Sequence, residues 1–380
     1  MNALDGHCAS LLGHLGVAAD KSLPVDVQDL FNRFTLDSIS DLLFGFPMRA
    51  LEHHSHVETR YRSFVQAFGK LQDICGRRIR IGSNWRIIEA VRLFGDQTVL
   101  PARIVDDFLK PVISEAQKKV EANGRIGDPS NLLEFLVQEC DDLKIVRDTL
   151  LSFFLAGKDT TASLLTFTLY VLTMYPQVMS KLRAEVDACV GRHGYPTSAK
   201  IQSMLYLRAV LNETLRLFPP LPMNIRRAAV STTLSSPLSK MGDLHVNKGT
   251  SVTYSPFLMQ RRRDLWGEDA EEFRPERWLA EGSPTSMESS LRSIFVPFNA
   301  GQRLCLGKTF AYQECSFVLV RLLQNIECFS FAEDVQPKDS QPPSAWRVRG
   351  GRQSFEQCWP TSSITLYAKG GLWVRMKLRE

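Results

Sequence analysis

Apolar positions along this chain recur mostly with the period of a helix. Val27, Leu30, Phe31 and Phe34 fall at i, i+3, i+4 and i+7, so residues 1–45 read as helical. Asp26 is placed as an N-cap, and Gly45 and Pro47 end the run. The period returns over residues 57–123, where Ile104, Phe108 and Val112 step by four, with breaks near Gly82-Ser83-Asn84 and at Gly95. Residues 145–175 are apolar on most sides and predict one long helix, roughly 45 Å at 1.5 Å per residue, running through the core. Pro176 ends it and can open the next helix, where Met179, Leu182 and Val186 share a face. Residues 205–218 put Leu207, Val210, Leu211, Thr214 and Phe218 on one side of a further helix.

Beyond Pro219 and Pro220 the texture changes. Residues 225–233, 245–246 and 250–254 are short β-prone runs with turn signals between them. Residues 261–278 are charged and aperiodic, as in an irregular meander, and 308–323 are helical again. Residues 334–360, rich in Pro, Gly, Gln, Ser and Arg, read as an exposed insertion. Residues 363–368 and 372–377 flank Lys369-Gly370-Gly371, a hairpin signal. The expected fold is mainly α with small β-sheets, and 1–380 form a single domain.

Composition narrows the function. A chain of 380 residues, 44% hydrophobic, can bury a large core. The net charge of +5 is mixed and carries no aromatic-interleaved basic patch, so a nucleic-acid partner is not expected. Cys8, Cys75, Cys140, Cys189, Cys305, Cys315, Cys328 and Cys358 include no C-x-x-C pair, which argues against zinc and for reduced thiols. The histidines His53, His54 and His56 read as a solvated loop rather than a metal site. No hydrophobic anchor is evident. The uncharged run 160–180 holds five threonines and is interrupted by Pro176, as in a buried core helix rather than a membrane span.

Three local patterns carry chemistry. In residues 298–307, Cys305 has a turn behind it and a helix start ahead, where free N–H groups and the helix dipole favour a thiolate, hence a nucleophile or a metal ligand. Under the metal reading Gly301 permits the turn, Gly307 lets a flat cofactor approach, Phe298 packs beneath, and Arg303 pairs with a cofactor carboxylate. A buried cysteine beside a turn is the plainer alternative. A cysteine hydrolase would need a partner His and Asn motif, which is not found. In the long helix, Thr160 lies one turn after Ala156 and can bond back to its carbonyl, bending the helix, while Gly157 leaves space and Asp159 can relay protons. The same residues also suit a bent core helix with an ordinary threonine pair. Glu213 and Arg216 are i, i+3 neighbours and can pair.

The run Phe298-x-x-Gly301-x-Arg303-x-Cys305-x-Gly307 resembles the haem-binding loop of cytochrome P-450 enzymes. The run Ala156-Gly157-Lys158-Asp159-Thr160-Thr161 resembles that family's oxygen-activation motif, and Glu213-x-x-Arg216 its E-x-x-R motif. The resemblance implies haem b, with Cys305 as axial thiolate of the iron and Arg303 and Arg226 on its propionates, Arg227 being the rival of Arg226. It implies Gly157, Asp159 and Thr160 at the dioxygen site, a structural triad of Glu213, Arg216 and Arg277, and a substrate pocket lined by Ser152, Leu155, Ala156, Leu221 and Met223. The implied activity inserts one atom of dioxygen into a lipophilic substrate, with electrons from NADPH through NADPH-cytochrome P-450 reductase. Residues 273–278 and 367–372 look most like fungal microsomal members related to alkane and fatty-acid hydroxylases, which work at the endoplasmic reticulum membrane. On the N-terminal side the pattern departs. Met1 falls about where the family's fourth helix begins, so the anchor, first helices, most of the first sheet and the W-x-x-x-R helix are expected to be missing. The alternative reading is therefore a catalytically impaired truncated paralogue, or an incomplete gene model, with weak haem binding.

Overall fold

A computed structural model describes residues 2–52, 59–91, 96–123, 129–235, 242–279 and 294–380. The histidine cluster His53, His54 and His56 and the break at Gly95 lie outside these. In chain order the elements are α1 (Asn2–Asp20), β1 (Val25–Asp26), α2 (Val27–Phe44), α3 (Thr59–Ile81), α4 (Trp85–Val91), α5 (Val99–Asn123), α6 (Leu132–Glu139) and α7 (Leu143–Met174). There follow α8 (Pro176–Cys189), α9 (Ser198–Ser203), α10 (Leu205–Leu217), β2 (Asn224–Arg227), β3 (Thr232–Leu234), β4 (Leu244–Val246) and β5 (Ser251–Tyr254). Two short helices, α11 (Pro256–Met259) and α12 (Arg263–Trp266), lead into the meander, and α13 (Lys308–Asn325), β6 (Ile326–Phe331), β7 (Pro360–Ser362), β8 (Leu366–Ala368) and β9 (Trp373–Leu378) close the chain. The fold is mainly α with small antiparallel sheets, as the periodicity predicts. Among the described residues no helix is long and apolar enough to cross a membrane.

Local chemistry starts α2 where expected. The Asp26 side chain accepts from the N–H groups of Gln28 and Asp29, and Gly45 ends the helix at φ +80°. All four residues of the predicted stripe, Val27, Leu30, Phe31 and Phe34, are buried. Within residues 1–45, which the periodicity reads as helical, Val25 and Asp26 instead form a strand that pairs with Val374 and Trp373 of β9, which also pairs with β6.

That pairing overturns the expected C-terminal hairpin. β8 pairs with β7 and β9 with β1 and β6, so Gly370 and Gly371, at φ +76° and +90°, turn the chain from one sheet into another. The cause lies far off in sequence. Asp26 accepts from the Leu372 N–H at 2.9 Å, and the Gln28 amide bonds both backbone groups of Ala368.

Residues 334–360, expected as an exposed insertion, are mostly exposed and are pinned to the core at a few buried residues. Arg352 is 1% exposed and its Nε lies 2.6 Å from Glu356 Oε1. The Tyr170 hydroxyl of α7 donates to Glu356, and the Gln357 N–H donates to the Tyr170 oxygen at 2.7 Å. Ser340 and Cys358 are buried as well. The buried Arg352 finds its counter-charge within the segment, at Glu356, and α7 adds the Tyr170 hydroxyl.

The core divides around α7. Leu164, Phe167 and Tyr170, with α8, α10 and α13, belong to one apolar cluster, and Val146, Leu150 and Phe154, with α3, α5 and α6, to another. Helix α2 contributes to both, through Phe31 and Phe34 on one side and Ile39 and Leu43 on the other. The polar stretch 156–161 falls at the junction of the two clusters.

Candidate functional site

Cys305 stands on an exposed turn. Its N–H donates to the Phe298 carbonyl at 2.9 Å, closing residues 298–305 into a loop that runs into α13. Asn299 and Gly301 both sit at φ +61°, and the glycine adopts it without strain. A Cβ on Gly307 would come within 3.9 Å of the Cys305 sulfur. Phe298 packs under the loop against Tyr312 of α13, ring centres 5.2 Å apart. Leu304 and Leu306 are exposed beside the thiol, Leu306 by 86%. By contrast Cys8, Cys315 and Cys358 are buried, and burial pushes their thiols up, that of Cys8 to about 12.

Strand alternation puts Arg226 and Arg227 on opposite faces of β2. Asn224 pairs with Tyr254 and Arg226 with Val252 across β2 and β5, so Asn224, Arg226 and Tyr254 share one face. The Tyr254 hydroxyl donates to the Asn299 side chain of the cysteine loop at 2.7 Å, and Arg226 lies over the Tyr254 ring. Arg227 faces the other way and donates to the Gly249 carbonyl at 3.1 Å.

Helix α7 presents a strip of small residues. Ser152 and Ala156 are exposed and Thr160 is half-buried, one turn apart, on a helix otherwise largely enclosed. The Thr160 hydroxyl donates to the Ala156 carbonyl at 2.6 Å, the bond its spacing predicts. Leu155 is half-buried beside the strip. Across β2, Leu221 is half-buried and Met223 is 59% exposed. Gly157 does not open onto this strip: a Cβ there would lie 2.5 Å from Ile39 Cδ1, so its space is filled by the crossing of α2. Asp159 is held at both oxygens, by Lys158 from its own helix and by Gln72 of α3.

Behind the loop, Glu213 is fully buried and accepts five hydrogen bonds. Arg216 donates Nε and Nη2 at 2.8 Å, and the Arg274 N–H, Arg277 Nε and Trp278 Nε1 each donate at 2.9 Å. Burial alone would raise this carboxyl, but the hydrogen bonds and charges of Arg216, the charge of Arg277 and the Arg274 N–H hold it below its ordinary value. Arg216 then reaches the Gln260 carbonyl at 2.8 Å and the Glu272 carbonyl at 2.9 Å, locking the meander to α10. Gln260 is fully buried. Its amide donates to the carbonyls of Leu215 and Arg216 and its oxygen accepts from Val296, tying the end of α10 to the chain entering the cysteine loop.

The two sides are joined through α13, whose Cys315 sulfur donates to the Thr161 carbonyl at 3.9 Å. A flat, apolar, anionic cofactor with a thiolate-seeking metal fits the residues present. The thiol is exposed among leucines, the glycine beside it gives clearance, and no carboxylate ion pair engages Arg226 or Arg303 among the described residues.

Such an arrangement defines a class, the haem-thiolate proteins of mainly α fold. The cytochrome P-450 family model matches residues 5–351, and the chain belongs to that family. Haem b is the cofactor of this family. The cytochrome P-450 monooxygenase himC of Aspergillus japonicus is 35% identical over 99% of this chain and 62% of its own. Cytochrome P-450 52A10 of Candida maltosa is 34% identical over 90% of this chain and 65% of its own. The crystal structure of the cytochrome P-450DA heme domain superposes with a TM-score of 0.73 at 20% identity, over 100% of this chain and 72% of that one. The chain thus spans about two thirds of the length of the curated relatives it matches.

Proposed function

We propose that this chain is the haem-binding part of a monooxygenase that inserts one atom of dioxygen into a lipophilic substrate, of the fatty-acid or alkane type. Electrons come singly from NADPH through NADPH-cytochrome P-450 reductase, at the endoplasmic reticulum membrane. The observation that carries the reading is the pairing, within one fold, of the exposed Cys305 loop with the Ser152, Ala156 and Thr160 strip of α7.

Haem bound to Cys305 would supply oxygen activation, and every other task falls to the chain. Arg303 and Arg226 would hold its two propionates. Ser152, Leu155, Ala156, Leu221 and Met223 line the substrate space and exclude water. Thr160 keeps a hydroxyl at the wall, and its bond to Ala156 leaves the oxygen lone pairs free to accept a proton donor. Asp159 is the acid of the relay, positioned by Lys158 and Gln72. Glu213, Arg216 and Arg277 do no chemistry. They hold the meander under the loop. The decisive experiment is the absorption spectrum of the reduced, carbon-monoxide-bound protein. A strongly red-shifted Soret band that Cys305→Ala abolishes supports the reading, and a protein that takes up no haem rejects it.

A further inference from the structure

A cavity of about 310 Å³ lies within residues 331–357 and shares no lining residue with the Cys305 loop or the α7 strip. Its walls are held from outside the cavity. Gln336 is buried and donates Nε2 to the Gly371 carbonyl at 3.0 Å, while its Oε1 has no hydrogen-bond partner. Glu356, on another wall, is held by Arg352 and by the Tyr170 hydroxyl of α7. Trp346 packs edge-on against Trp359, ring centres 6.0 Å apart, and with Phe355 gives the cavity an aromatic side. These walls are fixed by the fold itself, so the space is preformed.

Two lining charges are left over. Glu333 and Arg347 are exposed on the cavity, and among the described residues neither forms an ion pair, with the other or elsewhere. Their neighbours in the segment are paired: Asp334 with Arg375, and Arg352 with Glu356. An anion and a cation that border one cavity without meeting suit a molecule that carries both charges. A lone cation would be attracted by Glu333 and repelled by Arg347, and a lone anion the reverse. The aromatic side adds a place for an apolar body. A space of this size is at the small end of ligand sites, which limits the occupant to a compact molecule.

We propose that this cavity is a binding site for a small zwitterion, an α-amino acid with an aromatic or apolar side chain. Its ammonium faces Glu333, its carboxylate meets Arg347, and its side chain lies against Trp346 and Phe355. The site stands apart from the proposed function, since none of these residues is assigned to haem or substrate. L-phenylalanine is the probe, titrated into the full-chain holoprotein. Binding is read from tryptophan fluorescence, with the Soret band followed in parallel, because an amine that reached the haem iron would move that band. A saturable fluorescence change is expected that Trp346→Phe removes, with the Soret band still. Phenylpropionate and phenethylamine, each lacking one of the two charges, should bind about fivefold more weakly or worse. Glu333→Gln should erase the preference for L-phenylalanine over phenylpropionate, and Arg347→Gln its preference over phenethylamine. Four results would overturn the proposal: no saturable change, equal binding of the three compounds, unaltered preference in both variants, or a signal that survives Trp346→Phe together with a Soret shift. A protein without haem would reject the proposed function and leave the fluorescence result standing.

Discussion

A methyl group on Gly157 would lie 2.5 Å from Cδ1 and 2.8 Å from Cγ1 of Ile39, so the Ile39 side chain of α2 fills the space that a side chain at 157 of α7 would need. This glycine serves the helix crossing rather than the strip formed by Ser152, Ala156 and Thr160. Gly157→Ala should destabilise the protein by about 1–3 kcal/mol through overpacking. Ile39→Ala, which creates room at the same point, should recover part of that loss in the double variant. Denaturant melts of both single variants and the double variant measure the coupling; simple additivity would show that the contact is not made.

Thr160→Ala removes the hydroxyl and its bond to the Ala156 carbonyl. Folding should change little, because the exposed carbonyl can find water. The ratio of product to NADPH consumed should fall by about tenfold, less than the roughly 10²–10⁴-fold of a general acid or base, because water can still deliver protons. Thr160→Ser, which restores a hydroxyl, should recover most of it.

Two buried glutamates respond to pH with opposite sign. Glu213 has its carboxyl lowered, so its contribution to stability is present above the ordinary carboxylate range and lost as the pH falls through the lowered value. Glu314 is raised from 4.5 to about 7, so its contribution is full below about 4.5 and lost as the pH rises through about 7. That shift corresponds to a loss of roughly 3 kcal/mol on the alkaline side. Melts between pH 5 and pH 8 should therefore show a downward slope that Glu314→Gln flattens. Glu213→Gln should instead cost about 3–5 kcal/mol at neutral pH by leaving Arg216 buried without its partner.

Arg352 anchors residues 334–360 through Glu356 and lies over the Phe218 ring. Arg352→Ala should leave Glu356 buried beside Tyr170 without its cation, at a cost of several kcal/mol. The segment should then become the first site of limited proteolysis, with cleavage faster than in the parent. An unchanged digestion pattern would show that other contacts hold it.

Local features were legible in the sequence because their partners lie within a few residues. The α2 stripe, the Asp26 cap, the Gly45 stop and the Thr160–Ala156 bond all follow from i to i+4 geometry, and each is present. The Glu213–Arg216 pair belongs to the same kind. The order of motifs was enough to recognise the family.

What the tertiary structure alone decided depends on partners far along the chain. The Lys369-Gly370-Gly371 turn looks like a hairpin until Asp26 takes Leu372 for another sheet. Arg226 and Arg227 are equivalent until pairing with β5 sends one toward the cysteine loop and the other to Gly249. Residues 334–360 are mostly exposed, as their composition suggests, but their anchors at Tyr170 and Glu271 come from distant parts of the chain. The sequence by itself determined the helices, the thiol, the hydroxyl and the buried acid–arginine lock, since these are short-range chemistry. Only packing could bring Ile39 against Gly157 and Ser38 against Glu314, because a helix crossing is set by the sum of many distant contacts and no single residue records it.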